Sequence, residues 1–219
     1  MRTSKLFATI AILFLAVSCI KDETILYQEL TMATVSSATQ LKTDVGLTYN
    51  IVKQDFDGIL ETGSRVLALC NVLKRTDLNV YDIELVNYVT PLKKDAVLTS
   101  SLTKPDDGLG NDPVGVSAAW VSGGYLNLGI AVLILDEEKD HVINLEFDDT
   151  APADTLRFTL RHDDGMSDDM NVIAEDSVLG GAYVTFPIAK LLPDGVSTLP
   201  VKLTWVWDKE YVVKDGLKL

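Results

Sequence analysis

The sequence predicts an all-β chain folded as two domains in series. Three observations carry this reading. Apolar residues recur at every second position in short segments, the period of a strand with one buried face. Clusters of turn-forming residues separate those segments. No segment sustains a helical stripe, and only Ala189–Leu192, stopped by Pro193, reads as a single helical turn. A length of 219 residues suits one or two domains, and 47 % hydrophobic with 23 % charged residues is the balance of a globular chain rather than a disordered one.

The first element is not part of the fold. Arg2 and Lys5 precede the apolar run Leu6-Phe-Ala-Thr-Ile-Ala-Ile-Leu-Phe-Leu-Ala-Val17. That run is shorter than the roughly 20 residues a transmembrane helix needs, and it has the form of a secretory signal. It closes on Ala16-Val17-Ser18-Cys19, which resembles the lipobox of bacterial lipoproteins, with Ala where Leu is usual. The resemblance implies cleavage after residue 18 and acylation of Cys19, with palmitate-type chains anchoring the protein to a membrane. Several acyl chains, each contributing about 0.8 kcal/mol per buried CH₂, make such an anchor lasting. Lys21-Asp22-Glu23, just past the cysteine, resembles the surface-export signal of Bacteroidota lipoproteins. The expected location is the outer membrane, facing the cell surface, with its periplasmic face as the alternative.

Residues 19–29 read as a lipidated tether, and residues 30–104 as the first β-domain. Leu30–Ser36 mixes apolar and hydroxyl residues with approximate alternation. In Val45–Val52, Leu47, Tyr49 and Ile51 share one side, and Asp55-Phe-Asp-Gly58 ends the segment. Ser64–Leu73 and Tyr81–Val89 follow, with Lys74–Asn79 as the hairpin loop between them. Short strands at this spacing suggest a small barrel or a sandwich. Pro91 to Pro113 is rich in turn formers, and the domain boundary is expected near residue 105.

The second domain, 105–219, alternates more clearly. Val116–Val121 and Tyr125–Leu135 flank Ser122-Gly123-Gly124, the signature of a hairpin. Ile143, Leu145 and Phe147 fall on one face of His141–Phe147. In Thr155–His162, Leu156, Phe158 and Leu160 point in, and Arg157, Thr159 and Arg161 point out. Gly181–Ile188 and Val201–Trp207 complete the set, the latter with Leu203, Trp205 and Trp207 on one side.

These strands carry a resemblance. Trp120-Val-Ser-Gly-Gly-Tyr-Leu-Asn-Leu128, His141-Val-Ile-Asn-Leu145, Thr155–His162 and Ala182-Tyr-Val-Thr-Phe186 resemble the C-terminal β-sandwich of NigD-like lipoproteins of Bacteroidota. Gly63-Ser-Arg-Val-Leu-Ala-Leu69 and Tyr81–Tyr88 resemble that family's N-terminal OB-like barrel. The resemblance covers roughly residues 25–210 and implies an OB-like domain followed by an antiparallel sandwich. It brings no catalytic residues.

Charge excludes one class of partner. The formal net charge is −13, and removal of residues 1–18 takes away two basic side chains and no acid, which leaves −15. A field of that sign repels nucleic acid, even from a fold whose basic members bind it. Of the two cysteines, Cys19 belongs to the anchor, and Cys70, inside Arg65-Val-Leu-Ala-Leu-Cys70, reads as a small buried strand residue.

Candidate chemistry is sparse. The two histidines, His141 and His162, stand at strand edges without a Gly-x-Ser-x-Gly turn, a phosphate loop or metal-ligand spacing. Asp163-Asp-Gly-Met-Ser-Asp-Asp169, with Glu175 beyond it, offers hard oxygen ligands. Measured from Asp164 against an EF-hand loop, however, the third position is Met166 and the sixth is Asp169 where glycine is required. That loop and the doublets Asp106-Asp107 and Asp148-Asp149 read as solvated acidic turns. No metal or cofactor is expected. Trp120, Tyr125, Trp205 and Trp207 read as core residues, with a carbohydrate-binding platform as the alternative. The expected function is a non-enzymatic surface lipoprotein, a binding or accessory module for a glycan, peptide or protein partner. The competing expectation is a structural or envelope-assembly lipoprotein held by one protein partner.

Overall fold

In the computed structural model, the chain is described over residues 25–54, 58–104, 108–134, 140–166 and 178–206, with the backbone of 209–213. Five strands close the first domain: β1 (Tyr27–Ser37), β2 (Gln40–Thr43), β3 (Thr48–Gln54), β4 (Arg65–Asp77) and β5 (Val80–Val89). Their order around the barrel is β1-β2-β3-β5-β4, with β4 returning to β1. Four of the five junctions are antiparallel and β3–β5 is parallel. This is a five-stranded OB-like barrel. Period 2 fills it: Val66, Ala68, Cys70 and Val72 of β4 point inward with Ile83 and Leu85 of β5, packed around Tyr49 and Leu41.

The strands run further than the apolar alternation marks. β1 starts at Tyr27, inside the segment read as tether, because Tyr27, Gln28 and Glu29 pair with Val72, Asn71 and Cys70. β4 continues through Lys74–Asp77, read as loop, and the turn tightens to Leu78-Asn79, with Asn79 at φ +59°. Polar residues serve there because the barrel's rim is solvated on both faces.

The second domain is a sandwich. A four-stranded sheet has the order β6-β12-β9-β8, from β6 (Leu92–Lys93), β8 (Gly115–Ser122), β9 (Tyr125–Ile134) and β12 (Val178–Pro187). A five-stranded sheet has the order β14-β13-β11-β10-β7, from β7 (Val97–Leu98), β10 (Val142–Phe147), β11 (Leu156–Asp163), β13 (Val201–Trp205) and β14 (Lys209–Val213). Leu126, Leu128 and Ile130 of the first sheet meet Leu145, Phe158, Leu160 and Leu203 of the second. β11 alternates buried and half-buried along its whole length, with Leu156, Phe158 and Leu160 inside.

Residues 92–98, which lie before the expected boundary near 105, pair with the sandwich. β6 runs parallel to β12 and β7 parallel to β10, so the linker feeds one strand to each sheet at the same end. These two-residue strands are too short to show a period. No helix among the described residues is long and apolar enough to cross a membrane.

Candidate functional site

Cys19, Lys21, Asp22 and Glu23 lie outside the described residues, as do Asp106, Asp107, Asp168, Asp169, Glu175 and Trp207. What the structure does bring together is the pair of histidines. β10 and β11 pair antiparallel with Ile143 opposite His162, which carries His141 to the same end of the sandwich core. The rings lie nearly parallel, 5.1 Å apart between centroids with 10° between planes. His141 Nδ1 lies 2.9 Å from His162 Nε2, and His162 Nδ1 lies 3.0 Å from the Pro113 carbonyl oxygen. A carbonyl only accepts, so His162 Nδ1 carries the proton and its Nε2 accepts from His141. Burial pushes the His162 pKa down, against the pull of the Pro113 carbonyl.

The relay fastens a loop. Asp112 N donates to His162 O, Asn144 Nδ2 to Leu109 O, and Arg161 to Asn111 Oδ1. Gly110, at φ +82°, lets residues 108–114 pass so close that a Cβ there would stand 2.2 Å from the His162 carbonyl oxygen. Carboxylate oxygens of Asp112, Asp163 and Asp164 come within 4.8 Å of one another. Asp112 accepts from Asp164 N across the two segments, and the other two bonds are local, Asp163 accepting from Gly165 N and Asp164 from Met166 N. Such bonds describe a self-capped acidic turn. Among the described residues no hydroxyl or thiol is bonded to either imidazole. Cys70 is fully buried in the barrel, its thiol pushed up to about 12 chiefly by desolvation. Three of the four imidazole nitrogens therefore hold structure, and among the described residues no nucleophile is bonded to the pair.

A second constellation joins the domains. Asp44, in the turn after β2, and Arg65, at the head of β4, form an ion pair whose side chains are 6 % and 1 % exposed. Arg65 NH2 donates to Asp44 Oδ2 at 2.7 Å, and Ser122 Oγ, from the tip of the β8–β9 hairpin, donates to the same oxygen at 2.6 Å. The guanidinium lies 4.2 Å above the Tyr125 ring. Behind it, Asn127 Nδ2 donates to Ser122 Oγ and Thr185 Oγ1 to Asn127 Oδ1, so the polar chain runs from the barrel into β12. Gly123 (φ +56°) sits against Asp44, whose carboxyl carbon a Cβ would meet at 2.6 Å. The sequence offered one signal for this junction, an arginine heading an apolar run. Its partners stand 21 and 60 residues away, beyond the reach of periodicity.

Of the four aromatics considered as a sugar platform, Trp207 lies outside the described residues, and Tyr125 stands apart from Trp120 and Trp205, which border one cleft. Tyr125 lies beneath Arg65 and Trp205 is buried in the sandwich core, whereas Trp120 is half-exposed on β8.

The profile of the NigD-like C-terminal beta sandwich domain matches residues 97–213, more than half of the chain. The chain belongs to the NigD-like family. The NigD-like architecture, barrel included, recurs in solved structures. A protein of unknown function from Bacteroides vulgatus is 19 % identical, with a TM-score of 0.67 and coverage of 88 % of this chain and 91 % of its own. A candidate lipoprotein from Bacteroides fragilis is 15 % identical, with a TM-score of 0.57 over 88 % and 97 % of the two chains. A NigD-like immunity protein from Bacteroides caccae is 18 % identical, with a TM-score of 0.56 over 85 % and 90 %. At such identities these neighbours share the fold. No curated protein matches the chain.

Proposed function

We propose that this NigD-like chain is a lipid-anchored outer-membrane protein that faces the cell surface and acts by binding a polypeptide partner, without catalysis of its own. The observation that carries the reading is the use to which the buried polar groups are put. Arg65, Asp44, Ser122 and Asn127 fasten one domain to the other, and both histidines fasten a loop. A rigid two-domain body on a tether is suited to present surfaces to a partner. The names of two fold neighbours, an immunity protein and a candidate lipoprotein, support the same direction.

Two experiments on intact cells test it. Protease shaving is expected to cleave the native chain, to spare a chain with Lys21, Asp22 and Glu23 replaced by alanine, and to find the Cys19→Ala chain released from the membrane fraction. Protection of the native chain, still held through Cys19, would move the protein to the periplasmic face. In-cell cross-linking is expected to give a discrete protein adduct that survives His162→Gln. A substrate turnover abolished by that substitution would overturn the binding reading.

A further inference from the structure

Among the described residues one sheet of the sandwich has a strand fewer than the other. Its two sheets begin together where the linker supplies β6 to one and β7 to the other, only three residues apart. At the far end they do not match. β8 ends the four-stranded sheet, with Trp205 of β13 bordering it, and the five-stranded sheet continues one strand past β13, to β14.

Among the described residues no strand pairs with the outer side of β8, and that edge is chemically bare. Ser122 and Tyr125 flank the two-residue Gly123-Gly124 turn (φ +56° and +81°) as a hydrogen-bonded pair. Alternation then turns the N–H and C=O groups of Val121 and Ala119 away from β9, toward the edge. Edge strands are ordinarily blunted by charged residues or proline. Gly115-Val-Ser-Ala-Ala-Trp-Val-Ser122 has neither, whereas the opposite edge strand β6 carries Lys93 and the β14 edge carries Lys209 and Glu210 in sequence. Only a register shift at Ser117 interrupts it.

Beside this edge is a cleft of about 300 Å³ lined by Val116, Ser117, Ala118, Ala119, Trp120 and Trp205. Trp205 is 9 % exposed, and its indole N–H has no acceptor. A buried donor left unmatched is unfavourable until an acceptor arrives. A row of unpaired main-chain groups beside an orphaned N–H matches one kind of occupant, an extended backbone that supplies carbonyls and amides at strand spacing.

We propose that the β8 edge and the Trp120–Trp205 cleft accept an extended segment of a partner polypeptide, which adds to the four-stranded sheet as its fifth strand. This rests on the binding function proposed above and gives it a surface. Side chains of the added strand alternate: one set faces the sandwich interior over β14 and is apolar, and the other faces solvent. Against a chain of net charge −13, basic residues are favoured in the outer set.

The test uses the full mature chain, residue-resolved amide exchange, and a ten-residue probe peptide of alternating valine and lysine. Without peptide, Ala119 and Val121 amides are expected to exchange at least tenfold faster than Trp120, whose N–H pairs with β9. The peptide slows both at least tenfold, and the same peptide N-methylated at alternate residues does not. Ala118→Lys repels the probe and Ala119→Pro removes an edge donor, and each abolishes the slowing. Trp205→Phe, which keeps an aromatic ring and removes the donor, weakens the peptide at least threefold. Three results would overturn the proposal: protection at Ala119 and Val121 without peptide, which rises with protein concentration if a second copy covers the edge; no slowing by the peptide; or equal slowing along β14. If the in-cell adduct persists in the Ala118→Lys and Ala119→Pro chains, the partner binds elsewhere and the binding function stands without this edge.

Discussion

His162 is the residue whose protonation the fold resists most visibly. Its pKa is held below the usual histidine value of about 6.5, first by burial, with the neighbouring His141 adding to the effect. The unfolded chain therefore binds a proton that the folded chain refuses. The stability tied to this group is complete above about pH 6.5 and drains as pH falls below it. Protonation would also place two N–H groups face to face at the 2.9 Å contact with His141. The drop in Tm between pH 7.5 and pH 5 is accordingly expected to be larger for the native chain than for His162→Gln. Equal drops would mean that the relay carries no pH dependence. Both histidines were visible in the sequence at strand edges. Their contact was not, because it depends on the register of β10 against β11, which neither strand shows alone. Cys70 was legible as a buried residue, since its position in a continuous apolar run also sets its environment.

At the scale of elements, the loop over 108–114 depends on glycine. Gly110→Ala is expected to cost at least about 2 kcal/mol, because the new Cβ meets a backbone carbonyl that cannot move without opening β11, and the positive φ adds strain. Urea unfolding measures this, and loss of protection at the Asp112 amide, which donates to His162 O, shows whether the loop has lifted. Elements with a clean period of two were readable from sequence, β11 and β10 lying where their alternation puts them, and the apolar half of β4 was readable as a continuous apolar run. Those that were missed lack a period. β2 has four residues, β6 and β7 have two each, and the first turns of β1 are polar or exposed. They are strands because partners of distant sequence pair with them.

For the whole molecule, the Asp44–Arg65 junction decides whether two cores behave as one. Interfaces between domains usually permit relative motion. Here a buried ion pair, a hydroxyl from the opposite domain and a guanidinium stacked on Tyr125 tie the barrel to the sandwich. Removing one partner of such a pair costs about 3–5 kcal/mol. Calorimetry of the native chain is expected to show one transition. Arg65→Met should split it, with the barrel melting first, and Asp44→Asn in the same chain should return part of the loss. A single transition in Arg65→Met would mean that other contacts couple the domains. The two-domain β architecture was legible because each core advertises itself through alternation. The junction was not, since it is built from single polar residues on separate strands.

The linker strands also set an order of events. A chain made from its N-terminus can close the barrel once Val89 has emerged, since all its strands are then present. Residues 92–98 must wait. β7 needs Glu146 and Phe147, β6 needs Val184 and Thr185, and Lys94 needs the Ile143 carbonyl. Contacts across such sequence separations form late, because loop closure precedes any gain from pairing. The linker strands therefore set only after the sandwich strands they join, and a chain released before Thr185 would carry a finished barrel on an unpaired linker.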